Sequence, residues 1–236
     1  LILRLYCRCF FVKRPCMKIR ILLILSFFSS PVFSQTDSLP NIFIITTDGF
    51  RWQEIFNGAD PAIISNPRYV KDTALLRQMF WHEDPVERRR ILMPFIWKTL
   101  ARQGSLYGNR NYENNVAVAN PYRFSYAGYN ELLTGYADPA IIANRKKRNS
   151  NETLLHFMNN QPGYKKHVAA FASWNLFDYI LNKQPAGIYL NSGYRNIAHD
   201  SLTTNETLIN TIQQLAVNNR QQTRNDMLTF VAAKEY

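Results

Sequence analysis

Beyond residue 16 the chain has no cysteine, because Cys7, Cys9 and Cys16 all lie in the first sixteen residues. That excludes a disulfide framework, a thiolate metal site and a cysteine nucleophile from everything downstream. Acidic residues are missing from Leu1–Ser34, which carries Arg4, Arg8, Lys13, Arg14, Lys18 and Arg20. Those six account for much of the formal charge of +11. Without them 22 of the 28 lysines and arginines face 17 acids, a net of +5. A chain so mildly basic gives little support to a nucleic-acid partner. There is no internal repeat or low-complexity tract. No apolar run reaches the roughly 20 residues of a membrane span.

The amino end does contain a secretory pattern. From Met17 the sequence reads MKIRILLILSFFSSPVFSQ. Lys18 and Arg20 make a basic segment, Ile21–Phe28 an apolar one, and Val32-Phe33-Ser34 a cleavage site before Gln35. The expectation is a start at Met17, with residues 1–16 as upstream read-through and 17–34 as a signal peptide. Residues 35–236 then form one domain, exported to the periplasm or the extracellular space, with no membrane span after cleavage. An uncleaved anchor is the rival reading. About 200 mature residues suffice for one domain with an ordinary core.

Within that domain Asn41–Thr47, NIFIITT, is a continuous apolar, β-branched run. It predicts a central strand buried on both faces. Asn115–Ala119 predicts a second strand, and His167–Ala172 a third. Helices are predicted over Pro94–Gln103, closed by Gly104, and over Tyr126–Leu133, closed by Gly135. Others follow over Asn151–Asn159, Leu176–Leu181, Thr204–Ala216 and Arg224–Glu235. Arg51 to Leu92 shows no period and reads as a long irregular segment of the kind often used as a lid. Strands alternating with helices predict an α/β fold, a mostly parallel sheet flanked by helices. The last helical pattern stops at Tyr236 without a cap, so the sheet is expected to be incomplete on the C-terminal side.

Ligands of open α/β sheets bind beyond the carboxyl ends of the strands. Asp48 stands there, directly after the first predicted strand, where a carboxylate can hold a divalent cation. Asp-Gly is also a common turn pair, which would explain Asp48 without any ligand. Ser125 opens a predicted helix. It is either an N-cap bonded to Ala127 or Gly128, or a nucleophile set in the positive end of the helix dipole. A metal held by Asp48 would lower the hydroxyl pKa with no histidine nearby.

Together NIFIITTDGFRWQEIFNGAD and NPYRFSYAGYNELLTGYADP resemble the alkaline phosphatase superfamily, near its phosphodiesterase and nucleotide pyrophosphatase members. In that family an Asp after the first strand binds metal. A Ser or Thr nucleophile opens a helix nine residues before the Thr of a Thr-Gly pair. Asp48 matches the first feature, and Ser125, nine residues before Thr134-Gly135, the second. With ASWNLFDYILN added, the pattern is similar to secreted bacterial members described as phosphoglyceromutase, sulfatase or alkaline phosphatase. The resemblance runs from about Asn41 to the end of the chain. It implies an alkaline phosphatase-like fold, two divalent metals, most simply zinc, and a small anionic phosphate ester as substrate. It further implies a phosphoseryl intermediate on Ser125, with Asp48 and Ser125 as metal ligands. Asn144 is the counterpart of an oxyanion-binding Asn in pyrophosphatase relatives, with Asn149 and Asn151 as alternatives. Trp174 and Asn175, after the third predicted strand, are placed to line the substrate pocket, though Trp174 can equally be packing. Arg145–Arg148, RKKR, would steer an anion or simply be a solvated loop.

The chain departs from the family in its histidines. His82, His156, His167 and His199 are the only four. None sits in the Asp-x-x-x-His or Asp-His-Gly patterns that complete the family's two-metal site. The cluster His82–Asp84 reads as a solvated loop. SYAGY also lacks the Pro and Arg that formylglycine sulfatases need around their Cys or Ser. The chain therefore supplies ligands for about one metal. A second expectation stands beside the hydrolase: a non-catalytic, truncated remnant with a half-built metal site.

Overall fold

The computed structural model describes residues 39–182, 187–216 and 222–236. Met17, the signal-like segment and the proposed cleavage site lie outside the described residues. Ile44–Tyr236 forms one compact unit. Leu1–Phe43 is a separate one, of which the described residues carry no regular structure.

The main unit begins with helices where the sequence suggested none. α1 (Trp52–Asn57), α2 (Pro61–Ile64), α3 (Thr73–Phe80) and α4 (Pro85–Leu92) occupy the stretch read as irregular. Their caps are plain in retrospect. Asp60, Asp72 and Asp84 each accept first-turn amides, and Pro follows Asp60 and Asp84 at the first helical position, as cap chemistry favours. Periodicity failed here because the helices are short and bury one residue apiece or none, namely Phe56, Ile64 and Arg88. Arg88 is nearly buried, with Nε on Asn57 O at 3.0 Å and Nη1 on His82 O at 2.9 Å. The Trp81 ring lies 4.6 Å from the Arg77 guanidinium and 4.5 Å from that of Arg88. Arg89 covers Trp97 at 3.7 Å, and Trp97 donates to Ile55 O at 2.9 Å. Flat cations on indole rings act here as core material.

Next come a widened π turn (Ile96–Leu100) running into α5 (Ala101–Gln103) and a 3₁₀ turn (Arg110–Tyr112). α6 (Ser125–Thr134) and α7 (Leu154–Asn159) precede β1 (Val168–Ala172). α8 (Phe177–Ile180), β2 (Ile188–Ser192), α9 (Thr204–Leu215) and α10 (Asp226–Glu235) complete the order. β1 and β2 pair in parallel, Val168 opposite Ile188 through Ala172 opposite Ser192. The fold is thus a mixture of helices with a small parallel sheet, as the coarse α/β expectation had it. β2 was not anticipated. Its IYLNS is too short and too mixed to stand out by pattern.

Two predicted strands do not form. Asn41–Thr47 has no strand structure, and Phe43 and Ile45 are 86% and 88% exposed. Val116 and Val118 of the second run are also exposed, and the segment ends on the Glu131 carboxylate, which accepts from the backbone N–H groups of Ala119 and Asn120. An apolar run becomes a central strand only when neighbours pair with its amides and carbonyls. β1 and β2 are the only paired strands among the described residues.

The core lies where α6, α8 and the sheet meet. Tyr126 and Leu133 pack with Leu176, Ile180, Leu181 and Leu190, and Ile180 is completely buried. His156 is buried on α7, its Nδ1 3.0 Å from Thr153 Oγ1. Arg224 is buried, with no carboxylate paired to it among the described residues. Its guanidinium is held by Thr229, Gln213 and the Asn191 carbonyl, and burial pulls its pKa down to about 10.

Two outcomes follow. Gly58 has φ +77°, and a Cβ there would sit 2.5 Å from the backbone of Arg88 and Arg89. Gly58→Ala should therefore cost more than about 2 kcal/mol, read as a lower urea midpoint. Burial lowers the pKa of His156 from 6.5, so the unfolded chain takes up that proton first. Stability is full above pH 6.5 and falls as pH drops from there through the lower folded value. His156→Leu should flatten this acid-side loss in urea titrations between pH 7.5 and 5.

Candidate active site

Ser125 is the first helical residue of α6, not its cap. Phe124 takes the cap position in extended conformation, and no side chain of its own bonds the first turn. The cap expectation for Ser125 is therefore corrected. The first-turn amides of a helix still need acceptors, and one comes from elsewhere in the chain. Asn144 Oδ1 accepts the Tyr126 N–H at 3.0 Å. Of the three asparagines left open by the sequence, the fold brings Asn144 to the Ser125 end of the helix. Asn149 and Asn151 are committed to a buried network instead. A backbone N–H can only meet the carbonyl side of an amide. Asn144 thus has its NH₂, a pure donor, to turn toward an anion, and its side chain is exposed.

One turn on from Ser125, Tyr129 occupies the same helix face. Burial pushes its phenol pKa up, the Asp48 carboxylate pushes it further, the Thr46 side chain beside it pulls back, and Asp226 adds a smaller push. Tyr129 thereby reports which carboxylates surround this face. Asp48 reaches it from an exposed Asp-Gly turn in which Gly49 has φ +70°. Asp226, at the start of α10, arrives through Ser173, whose hydroxyl donates to it and lies 2.7 Å from Thr229 Oγ1. Ser173 directly follows β1, so this face stands near the carboxyl end of that strand, as open α/β sheets arrange their sites. Tyr129 was legible in the sequence as the residue four after Ser125. Asp226 was not, since only the fold brings position 226 near position 129.

The Thr-Gly pair has a defined local role. Gly135 takes the left-handed conformation at φ +69° and its N–H closes the helix on Glu131 O at 2.8 Å. Thr134 Oγ1 bonds Asn130 O at 2.8 Å and accepts the Tyr136 N–H at 3.1 Å. Arg145–Arg148 are all exposed on the loop beyond Asn144, so four cations adjoin the positive end of α6.

Trp174 and Asn175 follow β1 as expected. Trp174 packs against the core and bridges Thr223, which is the packing role weighed for it. Asn175 N–H donates to Gln222 O at 2.9 Å, while its buried Oδ1 has no hydrogen-bond partner among the described residues. His82 and Asp84 form an exposed turn, with the Asp84 N–H on His82 Nδ1 at 3.1 Å. His156, His167 and His199 stand in other surroundings. His199 bonds Glu206 at 2.7 Å in the capping box of α9.

For a metal the fit is incomplete. Asp48 and Asp226 both act on Tyr129, and the Ser125 hydroxyl is a turn away. No group of three or more His, Cys, Asp or Glu side chains that could hold an ion occurs among the described residues. A catalytic zinc takes three protein ligands.

Removing the Asn144 side chain should strip α6 of its first-turn acceptor. Asn144→Ala is expected to cost about 1 kcal/mol, the size of a lost cap, measured by urea unfolding. No change in midpoint would show that solvent replaces it fully.

Among known proteins, no family model, no curated protein and no solved structure matches the chain.

Proposed function

We propose that this is a secreted, metal-dependent hydrolase of phosphate esters, of the alkaline phosphatase superfamily, acting through Ser125 and a phosphoseryl intermediate. The observation that carries the reading is the start of α6. A serine hydroxyl not used in capping stands in the first turn, and an amide fixed by its carbonyl points its donor side outward beside it.

The residues have separable tasks. The helix start, with its partial positive charge and the exposed Arg145–Arg148 loop beside it, draws a phosphate ester toward Ser125. Ser125 Oγ attacks phosphorus, the Ser–O–P bond forms as the ester P–O bond breaks, and the proton lost from the Ser125 hydroxyl passes through water to the leaving oxygen, which departs as the alcohol. Water then attacks the phosphoseryl group and releases inorganic phosphate, returning the hydroxyl to Ser125. The Asn144 NH₂ donates to an equatorial phosphoryl oxygen, where charge is concentrated in the transition state. Asp48 is assigned to a divalent metal, most simply zinc, which supplies Lewis acidity to the hydroxyl and phosphoryl oxygens when bound. The export signal belongs to residues 17–34. No helix among the described residues is long and apolar enough to cross a membrane.

The lack of a three-donor group among the described residues favours a second reading, in which the same helix start binds phosphate without hydrolysing it. Turnover of a chromogenic phosphate ester, with zinc supplied, separates the two. Ser125→Ala should lower it by at least about 10³-fold with an unchanged far-UV spectrum. Activity retained in that variant would sink the nucleophile assignment. Two equivalents of tightly bound zinc per chain would contradict the half-built site, whereas phosphate binding with neither turnover nor zinc uptake would establish the second reading.

A further inference from the structure

We propose that Asn130 is a positioning residue: its buried amide holds loop 144–151 on α6 and thereby sets Asn144 at the Ser125 end of the helix. The role assigned to Asn144 rests on the hydrolase reading, but the clamp is a statement about geometry and is testable without turnover.

The helix has two adjacent faces with different duties. At 100° per residue Ser125 and Tyr129 share one, and Tyr126 and Asn130 share the next. The second face fastens the loop at three levels. Asn144 Oδ1 accepts the Tyr126 N–H at 3.0 Å. Lys147 O accepts the Tyr126 hydroxyl at 2.8 Å. Asn130 Oδ1 accepts from Asn149 Nδ2 at 3.0 Å and from Asn151 Nδ2 at 3.1 Å. Between the first and third levels run Arg145, Lys146, Lys147 and Arg148, four exposed like charges that repel one another. The bonds to α6, together with those of Asn149 to the Tyr179 and Ile180 carbonyls, oppose their spreading into solvent and carrying Asn144 away.

Asn130 is suited to this in a way its neighbours in size are not. It has no solvent exposure, its carbonyl takes two donors, and its NH₂ donates to Tyr136 O at 2.7 Å. A leucine would leave the Asn149 and Asn151 amides without their acceptor. An aspartate would turn an oxygen on the Tyr136 carbonyl. The remaining donors are also placed: Asn149 Nδ2 reaches Ile180 O at 3.1 Å, and Asn151 Nδ2 reaches Asp138 Oδ2 at 2.7 Å. The loop is therefore anchored to α6 through Asn130, to α8 through Asn149, whose N–H also donates to Tyr179 O at 2.9 Å, and to the turn after the Thr-Gly pair through Asn151.

The test is the hydrogen-exchange rate of the Tyr126 amide, which Asn144 covers, in the wild type, Asn144→Ala, Asn130→Ala and the double variant. Asn144→Ala should speed it at least tenfold. Asn130→Ala should do the same, the double variant should exchange no faster than either single one, and the amides of β1 and β2 should stay protected. A wild-type rate in Asn130→Ala, or multiplying effects in the double variant, would overturn the proposal. If Asn130→Ala also loses strand protection, Asn151→Ala takes its place, since it removes one of the two donors from the same oxygen. There a severalfold faster Tyr126 amide is expected, and no change is fatal. Where turnover is measurable, the Asn130 and Asn144 variants should lower kcat with little change in KM, and non-additively. A chain without hydrolase activity but with the expected exchange pattern would refute the catalytic reading alone. An active enzyme whose Tyr126 amide ignores Asn130 would refute the clamp alone.

Discussion

An asparagine with no solvent exposure, accepting from two other asparagines, ties together the part of this fold that carries the candidate site. Three irregular segments converge on α6: the turn after Gly135, loop 144–151, and the chain around α8. Each brings backbone carbonyls or amides into the interior, where an unmet polar group costs about 1–3 kcal/mol. Apolar side chains cannot answer those groups. Asn130, Asn149 and Asn151 do so while the aliphatic core of Leu133, Ile180 and Leu190 packs alongside. The side-chain NH₂ groups of Asn130, Asn149 and Asn151 each have an acceptor, the condition under which a buried polar cluster specifies one arrangement.

The helices from Trp52 to Leu92 solve the same problem with cations. Arg88 and Arg89 cover indole rings and cap the carbonyls of α1, so guanidinium groups take positions that leucines hold in the main core. Arg224 repeats the device at the other end of the chain, buried among neutral acceptors at the expense of a lowered pKa. Arg224 is hydrogen-bonded through all three guanidinium nitrogens, the circumstance that makes burying such a charge tolerable, whereas the buried Arg89 Nε has no hydrogen-bond partner among the described residues and its guanidinium rests on the Trp97 ring.

Electrostatics at the candidate site divide by helix face. The N-terminal end of α6, the Asn144 amide and the basic loop favour an anion, while Asp48 and Asp226 lie toward Tyr129 one turn further on. A phosphate ester approaching Ser125 would meet donors on one side and carboxylates on the other. The carboxylates repel it unless a cation intervenes, which is why the hydrolase reading includes a metal and why the donor count decides between the two functional readings.

By itself the sequence determined the local elements whose cues are local. The α6 helix, its Gly135 stop, the β1 strand and the two last helices were legible within a residue or two. So were Asp48 beside a turn glycine, Ser125 at a helix start, and Asn144 among three nearby asparagines. Apolar runs misled where partnership was required. NIFIITT and NVAVA carry strand composition, but a strand exists only through hydrogen bonds to chain far away in sequence, and periodicity does not contain those. The same limit hid α1–α4, short segments that bury one residue apiece or none (Phe56, Ile64 and Arg88), too few for a period to show. Tertiary structure alone decided that Asn144 reaches the Tyr126 amide, that Asn149 and Asn151 do not, and that Asp226 joins Asp48 around Tyr129. The Asn144–Tyr126 bond joins residues 18 positions apart, and its geometry is set by where polar groups find partners.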